Sequence, residues 1–200
     1  MNDTNTTKNA QRLNLRYQER IACLTEMMDK LKQKETYDLS DIFKTVFEAL
    51  NEMIIHLHAG AIIGIKEDQL TFFTSQNLIT PNKYWASLSS NEKGCILAQL
   101  NSELATKDVI YWNYETNAPV IFDKKNDEKA IAISFLCKYA DDENLFMIIY
   151  RNTLKKPLLS DEVQLIKMVS RILGWHLNYE FTYQLLMYHI EKSFRRQIQK

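Results

Sequence analysis

"AIAISFLCKYADDENLFMIIYRNTLKKPLLSDEVQLIKMVSRILGWHLNYEF", residues 130–181, contains two apolar runs joined by the polar turn "ADDEN", which predicts an antiparallel β-hairpin. Pro157 ends strand pairing, because proline has no backbone N–H to donate. Ser160 is a suitable N-cap, and Asp161 and Glu162 favour the positive N-terminal end of a helix. The stretch therefore predicts a hairpin that leads into a helix.

That helix is predicted to be long. Its apolar residues advance by three and four positions: Leu165, Met168, Ile172, Trp175, Tyr179, Tyr183, Leu186 and Ile190. About 35 residues with a rise of 1.5 Å each form a rod of roughly 50 Å, which exceeds what a compact domain of this size requires. We therefore expect part of the apolar face to pack on a partner helix.

A second amphipathic helix is predicted near the N-terminus. Its small or apolar positions fit a heptad with polar Asn14 in one seam position: Ala10, Tyr17, Ile21, Leu24, Met28 and Leu31. So narrow a stripe is better suited to another helix than to a sheet. Residues 32–37 are interpreted as the break that follows.

The middle of the chain predicts a core helix and a hairpin. Ser40 is a suitable N-cap, and the wide apolar face over residues 39–57 has helical spacing. Residues 61–65 and 70–74 then form two apolar runs on either side of the charged turn 66–69. This segment is interpreted as a helix followed by two antiparallel strands.

A short helix and short strands complete the pattern. Ser89 and Glu92 form a capping box that predicts a helix over about 92–105, and residues 109–112 and 119–122 resemble short strands. Helices before and after a run of strands are typical of an α+β domain. We expect an antiparallel sheet with helices packed on one face, flanked by the long N- and C-terminal helices.

Charge and hydropathy exclude several classes of protein. The chain has 25 basic and 25 acidic residues, so it lacks the overall positive field that attracts nucleic acid or anionic lipid. The basic end, residues 192–200, contains no nucleic-acid reader motif. The apolar runs are shorter than the roughly 20 residues of a membrane span, and the N-terminus is polar where a signal peptide is apolar. We expect a cytoplasmic location, with no membrane or nucleic-acid partner.

The cysteine and histidine positions predict no metal site. Cys23, Cys95 and Cys137 are too widely spaced for a CxxC zinc motif and too few for a disulfide framework, so we expect free thiols. His56 and His58 form an HxH pair, but on a helix this spacing directs the two side chains apart. The four glycines form no phosphate-binding loop.

Residues 130–181 resemble the end of a GAF domain, in which a strand pair leads through an acidic cap into a terminal helix. Residues 42–72 are similar to the first core helix and hairpin of that family, and residues 91–112 to its lid helix. The resemblance covers roughly residues 39–179. Together with the two amphipathic helices, it divides the chain into an N-terminal helix over 1–36, a GAF-like domain over 37–178 and a C-terminal helix extension over 179–200.

The resemblance also implies a function. GAF domains are sensory or regulatory units that commonly pair through their first and last helices, so we expect a non-catalytic signalling domain that forms a parallel homodimer and acts on a protein output partner. The expected interface comprises Tyr17, Ile21, Leu24, Met28, Leu31, Ile172, Trp175, Tyr179, Leu186 and Ile190. The expected small-molecule site, whose ligand or cofactor the sequence does not identify, comprises Tyr84, Trp85, Cys95, Tyr111, Trp112 and Tyr114.

Other interpretations remain open. The cyclic-nucleotide signature is incomplete, because no Asp-Glu pair follows Asn82, Lys83 and Tyr84 at a suitable spacing. No cysteine lies in a bilin-attachment context. One alternative is a structural dimerisation or scaffold module with no ligand. Another is a thiol enzyme, because Cys95 resembles one element of the free methionine-R-sulfoxide reductases, which share the GAF fold.

Overall fold

The computed structural model describes residues 3–33, 38–54, 57–67, 69–78, 81–104, 106–107, 109–111, 130–138, 143–151 and 158–198. Five helices and five strands follow one another along these residues: α1 (Asp3–Lys32), α2 (Leu39–Met53), β1 (Leu57–Lys66), β2 (Gln69–Gln76), α3 (Pro81–Ser87), α4 (Ser90–Leu104), β3 (Val109–Tyr111), β4 (Ala130–Lys138), β5 (Asn144–Arg151) and α5 (Ser160–Ile198). Among the helices described, none is both long enough and apolar enough to cross a bilayer.

The strands form one sheet in the order β2-β1-β5-β4-β3, and every described pair is antiparallel. The last strand along the chain, β5, is therefore central. Ile148 pairs with Ala61 of β1 on one side and with Ile133 of β4 on the other. The predicted α+β antiparallel sheet is confirmed.

Helices cover both faces of this sheet, whereas the sequence predicted helices on one face. Ile62 and Met147 point into a core shared with α1, α2 and α5, and their neighbours Ile63 and Ile148 point into a second core shared with α4. The reason lies in β1 and β5, which are buried at nearly every position instead of alternating. Strands of that kind need a cover on both faces.

The predicted turn and capping box are confirmed. Lys66 pairs with Gln69 where β1 meets β2, and Glu67 takes a positive φ of 51° in that turn. At the start of α4, the Ser89 backbone N–H donates to Glu92 Oε2 at 3.0 Å, and the Glu92 N–H donates to Ser89 Oγ at 3.3 Å. The two residues satisfy each other's backbone donors, as a capping box requires.

Three local predictions differ from the structure. The N-cap of α2 is Asp38 instead of Ser40, and its Oδ1 accepts the Ser40 N–H at 2.8 Å. This helix ends at Met53 instead of continuing to Leu57, and Leu57 is the first residue of β1. Residues 81–87, for which no helix was predicted, form α3. The strand predicted over 119–122 lies outside the described residues.

Gly174 brings α5 into close contact with β4. A Cβ atom built at this position would collide with the carbonyl oxygen of Leu136. Only glycine allows the helix backbone to approach a strand so closely. The neighbouring residues Leu173 and Leu177 are fully buried in the core beneath α5, so the contact fixes how the terminal helix lies on the sheet.

Candidate functional site

Two ion pairs hold the first turn of α5. Arg20 of α1 donates through Nη1 to Asp161 Oδ2 at 2.8 Å, and Arg151 at the end of β5 donates through Nη2 to Glu162 Oε1 at 2.8 Å. The Arg151 and Glu162 side chains are only 5% and 4% exposed. Adjacent residues of α5 thus connect this helix to α1 and to the central strand.

Glu162 also caps the helix to which it belongs. Its Oε2 accepts the Leu159 backbone N–H at 2.9 Å, and the Leu159 carbonyl accepts the first helical bond, from the Val163 N–H at 3.0 Å. Leu159 therefore occupies the N-cap position that the sequence assigned to Ser160. Glu162 thus forms the half of a capping box in which the N3 carboxylate accepts the N-cap N–H. Leucine has no side-chain acceptor for the other half.

Asp161 is held as a carboxylate by Arg20. Burial by itself would raise the pKa of Asp161, but the hydrogen bond and the charge of Arg20 outweigh it, and the pKa lies below its ordinary value. Arg16 lowers it further by its charge. The ion pair between α1 and α5 is therefore intact at neutral pH.

A half-open cavity of about 450 Å³ lies beside this ion pair, between α1 and the end of α2. It is lined by Leu15, Arg16, Glu19, Arg20, Cys23, Glu52 and Met53. The Cys23 thiol donates to Glu52 Oε2 at 3.4 Å within it. The cavity lies on the sheet face covered by α1, α2 and α5, away from the predicted ligand site near α4.

The exposed side of α1 carries part of the predicted dimer interface. Tyr17, Ile21 and Met28 are exposed, and the helix itself forms as the heptad pattern predicted. Leu24 and Leu31, in contrast, are buried in the core that α1 shares with α2. These two predicted interface residues pack within the chain, because α2 already covers their side of the seam.

The outer face of α5 carries the other residues of the predicted dimer interface. Trp175 is 70% exposed and its ring stacks on that of Tyr179, with 6.3 Å between the ring centroids. Leu186 and Ile190 are also exposed, whereas Ile172 packs partly against the core. Described residues beyond Phe181 are all exposed, so an apolar stripe of α5 extends past the sheet. Pairing with a second chain stays a prediction.

The predicted ligand site is described only in part. Trp85 is half-buried and packs against the core beneath α4, and Cys95 is exposed on α4. Tyr84 lies in α3 and Tyr111 in β3, but their side chains are outside the described part. Trp112 and Tyr114 lie outside it altogether. The grouping of these six residues therefore stays a prediction.

The three cysteines occupy two sides of the sheet. Cys23 and Cys137 belong to the core beneath α1, α2 and α5, whereas Cys95 lies on the α4 side. Among the described residues, no group of His, Cys, Asp and Glu side chains is arranged to hold a metal ion. The described thiols thus offer Cys95 no resolving partner on its own side of the sheet.

Thiol labelling of the folded protein is expected to modify Cys95 alone. Burial raises the pKa of Cys137 to about 11, and burial together with the hydrogen bond to Glu52 raises that of Cys23 to about 11. At pH 8 only about a thousandth of such thiols is ionised, and the thiolate is the reactive form. Intact-mass measurement after iodoacetamide treatment should find one adduct, and none in Cys95→Ser. Rapid labelling of Cys23 at pH 8 would contradict this prediction.

Comparison with known proteins identifies the fold. No protein-family model and no curated protein matches the sequence. The GAF domain of a protein assigned as a sensor histidine kinase from Pseudomonas syringae pv. tomato matches with a TM-score of 0.55 at 11% identity, over 90% of this chain and 99% of that one. The GAF domain of a phosphoenolpyruvate-protein phosphotransferase from Coxiella burnetii also matches with a TM-score of 0.55, at 12% identity, over 83% of this chain and 96% of that one. At such low identities the likeness concerns the fold alone, and the fold of this chain is that of a GAF domain.

Proposed function

We propose that this chain is a non-catalytic cytoplasmic regulatory domain that senses a small molecule and passes its state to a protein partner through a helical homodimer. One observation carries the proposal. Helix α5 follows the central strand β5 along the chain, packs across β4, and continues with an apolar stripe that is exposed among the described residues.

The contacts at the start of α5 support a role in transmission. The Arg151–Glu162 and Arg20–Asp161 pairs connect its first turn to β5 and to α1. A change in the sheet that shifts either pair would move a helix whose far end lies outside the core. Small shifts of packed helices are a recurrent form of switching. Ligand binding would act by favouring one of two such arrangements.

The exposed stripe supports homodimerisation. Trp175, Tyr179 and Leu186 lie on one face of α5, since they advance by four and seven positions. Contiguous exposed apolar surface on a soluble protein usually marks an interaction site. A second copy of α5 in parallel orientation would cover this face, and the exposed residues Tyr17 and Ile21 of α1 would extend the seam.

Changing one seam residue is expected to weaken the dimer. Leu186→Glu removes an apolar contact from both copies; burial of one leucine contributes about 1.5–3 kcal/mol, so the dissociation constant should rise at least a hundredfold. Analytical ultracentrifugation of the full chain measures this change. Gln184→Glu adds the same charge at an exposed position off the seam and should leave the dimer intact. A monomeric unmodified chain, or equal effects of both variants, would contradict the prediction.

Native mass spectrometry of the full chain separates sensing from the main alternative, a structural dimerisation module. A dimer with additional bound mass supports sensing and gives the mass of the ligand. A dimer without it, after incubation with cell extract, favours the structural module. The thiol-enzyme alternative predicts reduction of free methionine sulfoxide that depends on Cys95, and an inactive purified protein would exclude it.

A further inference from the structure

Arg20 is a buried arginine with part of its hydrogen-bonding capacity unused. The residue is only 8% exposed, and its Nη1 donates to Asp161. Its Nε and Nη2 are buried and have no hydrogen-bond partner within the described part of the protein. Leaving such donors unpaired is costly, and more so when they belong to a charged group. A ligand that supplied acceptors would recover that cost.

The two unused nitrogens belong to one edge of the guanidinium group. Nε and Nη2 direct two parallel N–H bonds from this edge, which is the geometry that binds a carboxylate through both oxygens. Asp161 engages only Nη1, so this edge remains available. Both nitrogens are shielded from water, so binding requires a side chain of the cavity lining to move before a carboxylate can reach them.

The adjoining cavity has the size and the charges for a small zwitterion. Its volume of about 450 Å³ falls within the roughly 300–1,000 Å³ of small-molecule sites. Arg16 and Arg20 contribute positive charge to the lining, and Glu19 and Glu52 contribute negative charge. A simple anion would be repelled by the two carboxylates, whereas a molecule with an amine as well as a carboxylate would satisfy both signs.

We propose that this cavity binds a free α-amino acid, with its carboxylate on the Nε and Nη2 edge of Arg20 and its amine beside Glu19 and Glu52. Leu15 and Met53 provide an apolar surface for its side chain. The site lies on the α1 and α2 face of the sheet. It is independent of the aromatic site predicted near α4, and it does not rest on the proposed function.

Thermal-shift and calorimetric titrations of the full chain test the proposal, with the standard amino acids at millimolar concentration as probes. Acetate and ethylamine, which carry one charge each, and inorganic phosphate serve as controls. At least one amino acid should raise the Tm, because a ligand that binds only the folded state stabilises it. The control compounds should not raise it. If no amino acid does so, or if acetate or phosphate acts equally well, the proposal is overturned.

Two variants locate the binding. Arg20→Lys keeps the charge but loses the paired donors, and Glu19→Gln removes an exposed carboxylate at the rim without touching the core. Each should weaken binding about tenfold or more, which corresponds to at least 1.4 kcal/mol. Glu26→Gln, on α1 but outside the cavity lining, should bind normally. If Arg20→Lys does not fold, Glu19→Gln still decides, and unchanged affinity in Glu19→Gln would place the ligand elsewhere.

Discussion

Gly174→Ala is expected to lower the free energy of unfolding by about 1–3 kcal/mol, the usual cost of forcing an additional group into a packed core. The added methyl group would collide with the carbonyl oxygen of Leu136. That oxygen belongs to the backbone of β4, so it cannot move aside by a rotamer change. Either α5 or the strand must shift.

The same substitution at Gly94 should have the opposite effect on stability. Gly94 lies within α4, and a Cβ atom added there meets no heavy atom within 4 Å. Alanine is favoured over glycine inside a helix by about 0.5–1 kcal/mol, so Gly94→Ala should stabilise the protein. Urea denaturation of both variants measures the difference. Equal effects of the two substitutions would show that α5 does not approach β4 as described.

Glu162→Gln is expected to lower the free energy of unfolding by about 3–5 kcal/mol, because removal of one partner from a buried ion pair leaves the other charge inside the protein. Arg151 would keep its charge but lose the carboxylate that accepts the hydrogen bond from its Nη2 at 2.8 Å. The cap on the Leu159 N–H would also be weakened, since Glu162 serves both groups. The loss should therefore appear mainly in how α5 is anchored.

The exposed pair Glu103–Lys107 provides the control. These side chains are 2.9 Å apart, with Glu103 37% and Lys107 57% exposed, so Glu103→Gln should change stability by no more than about 0.5 kcal/mol. Hydrogen exchange would then distinguish local from global effects of Glu162→Gln, with early loss of protection in α5. A cost below 1 kcal/mol for Glu162→Gln would contradict the importance of the buried pair.

Local sequence patterns predicted much of the fold. The hairpin turn at 66–69, the Ser89–Glu92 capping box and a helix beginning near Ser160 depend on residues a few positions apart. The structure contains all three, although the N-cap of that helix is Leu159 instead of Ser160. The GAF resemblance rested on the order of such elements. Backbone preference and periodicity are sufficient for predictions of this kind.

Contacts between distant segments could not be predicted in the same way. Arg20 and Asp161 are 141 positions apart, and nothing in the sequence around either residue indicates the other as its partner. Similarly, the heptad containing Leu24 and Leu31 predicted a helix with an apolar seam, but not that α2 of the same chain covers it. A periodic pattern identifies which face is buried and leaves the partner undetermined.

The candidate cavity was missed for a related reason. Its lining combines one face of α1 with Glu52 and Met53 at the end of α2. In the sequence, these positions indicate only an amphipathic helix and the end of another helix. The unusual feature is the burial of Arg20, which depends on how three helices meet and carries no sequence signal of its own.

The central position of β5 has a consequence for synthesis on the ribosome. β1 and β2 can pair as soon as both have emerged. The other edge of β1 stays unpaired until β5 has been synthesised, because Ile62 of β1 pairs with Met147 of β5. Until then the nascent chain presents an apolar strand with one unpaired edge, a template for association with other chains. We therefore expect the growing polypeptide to need chaperone protection until residues 144–151 have left the exit tunnel.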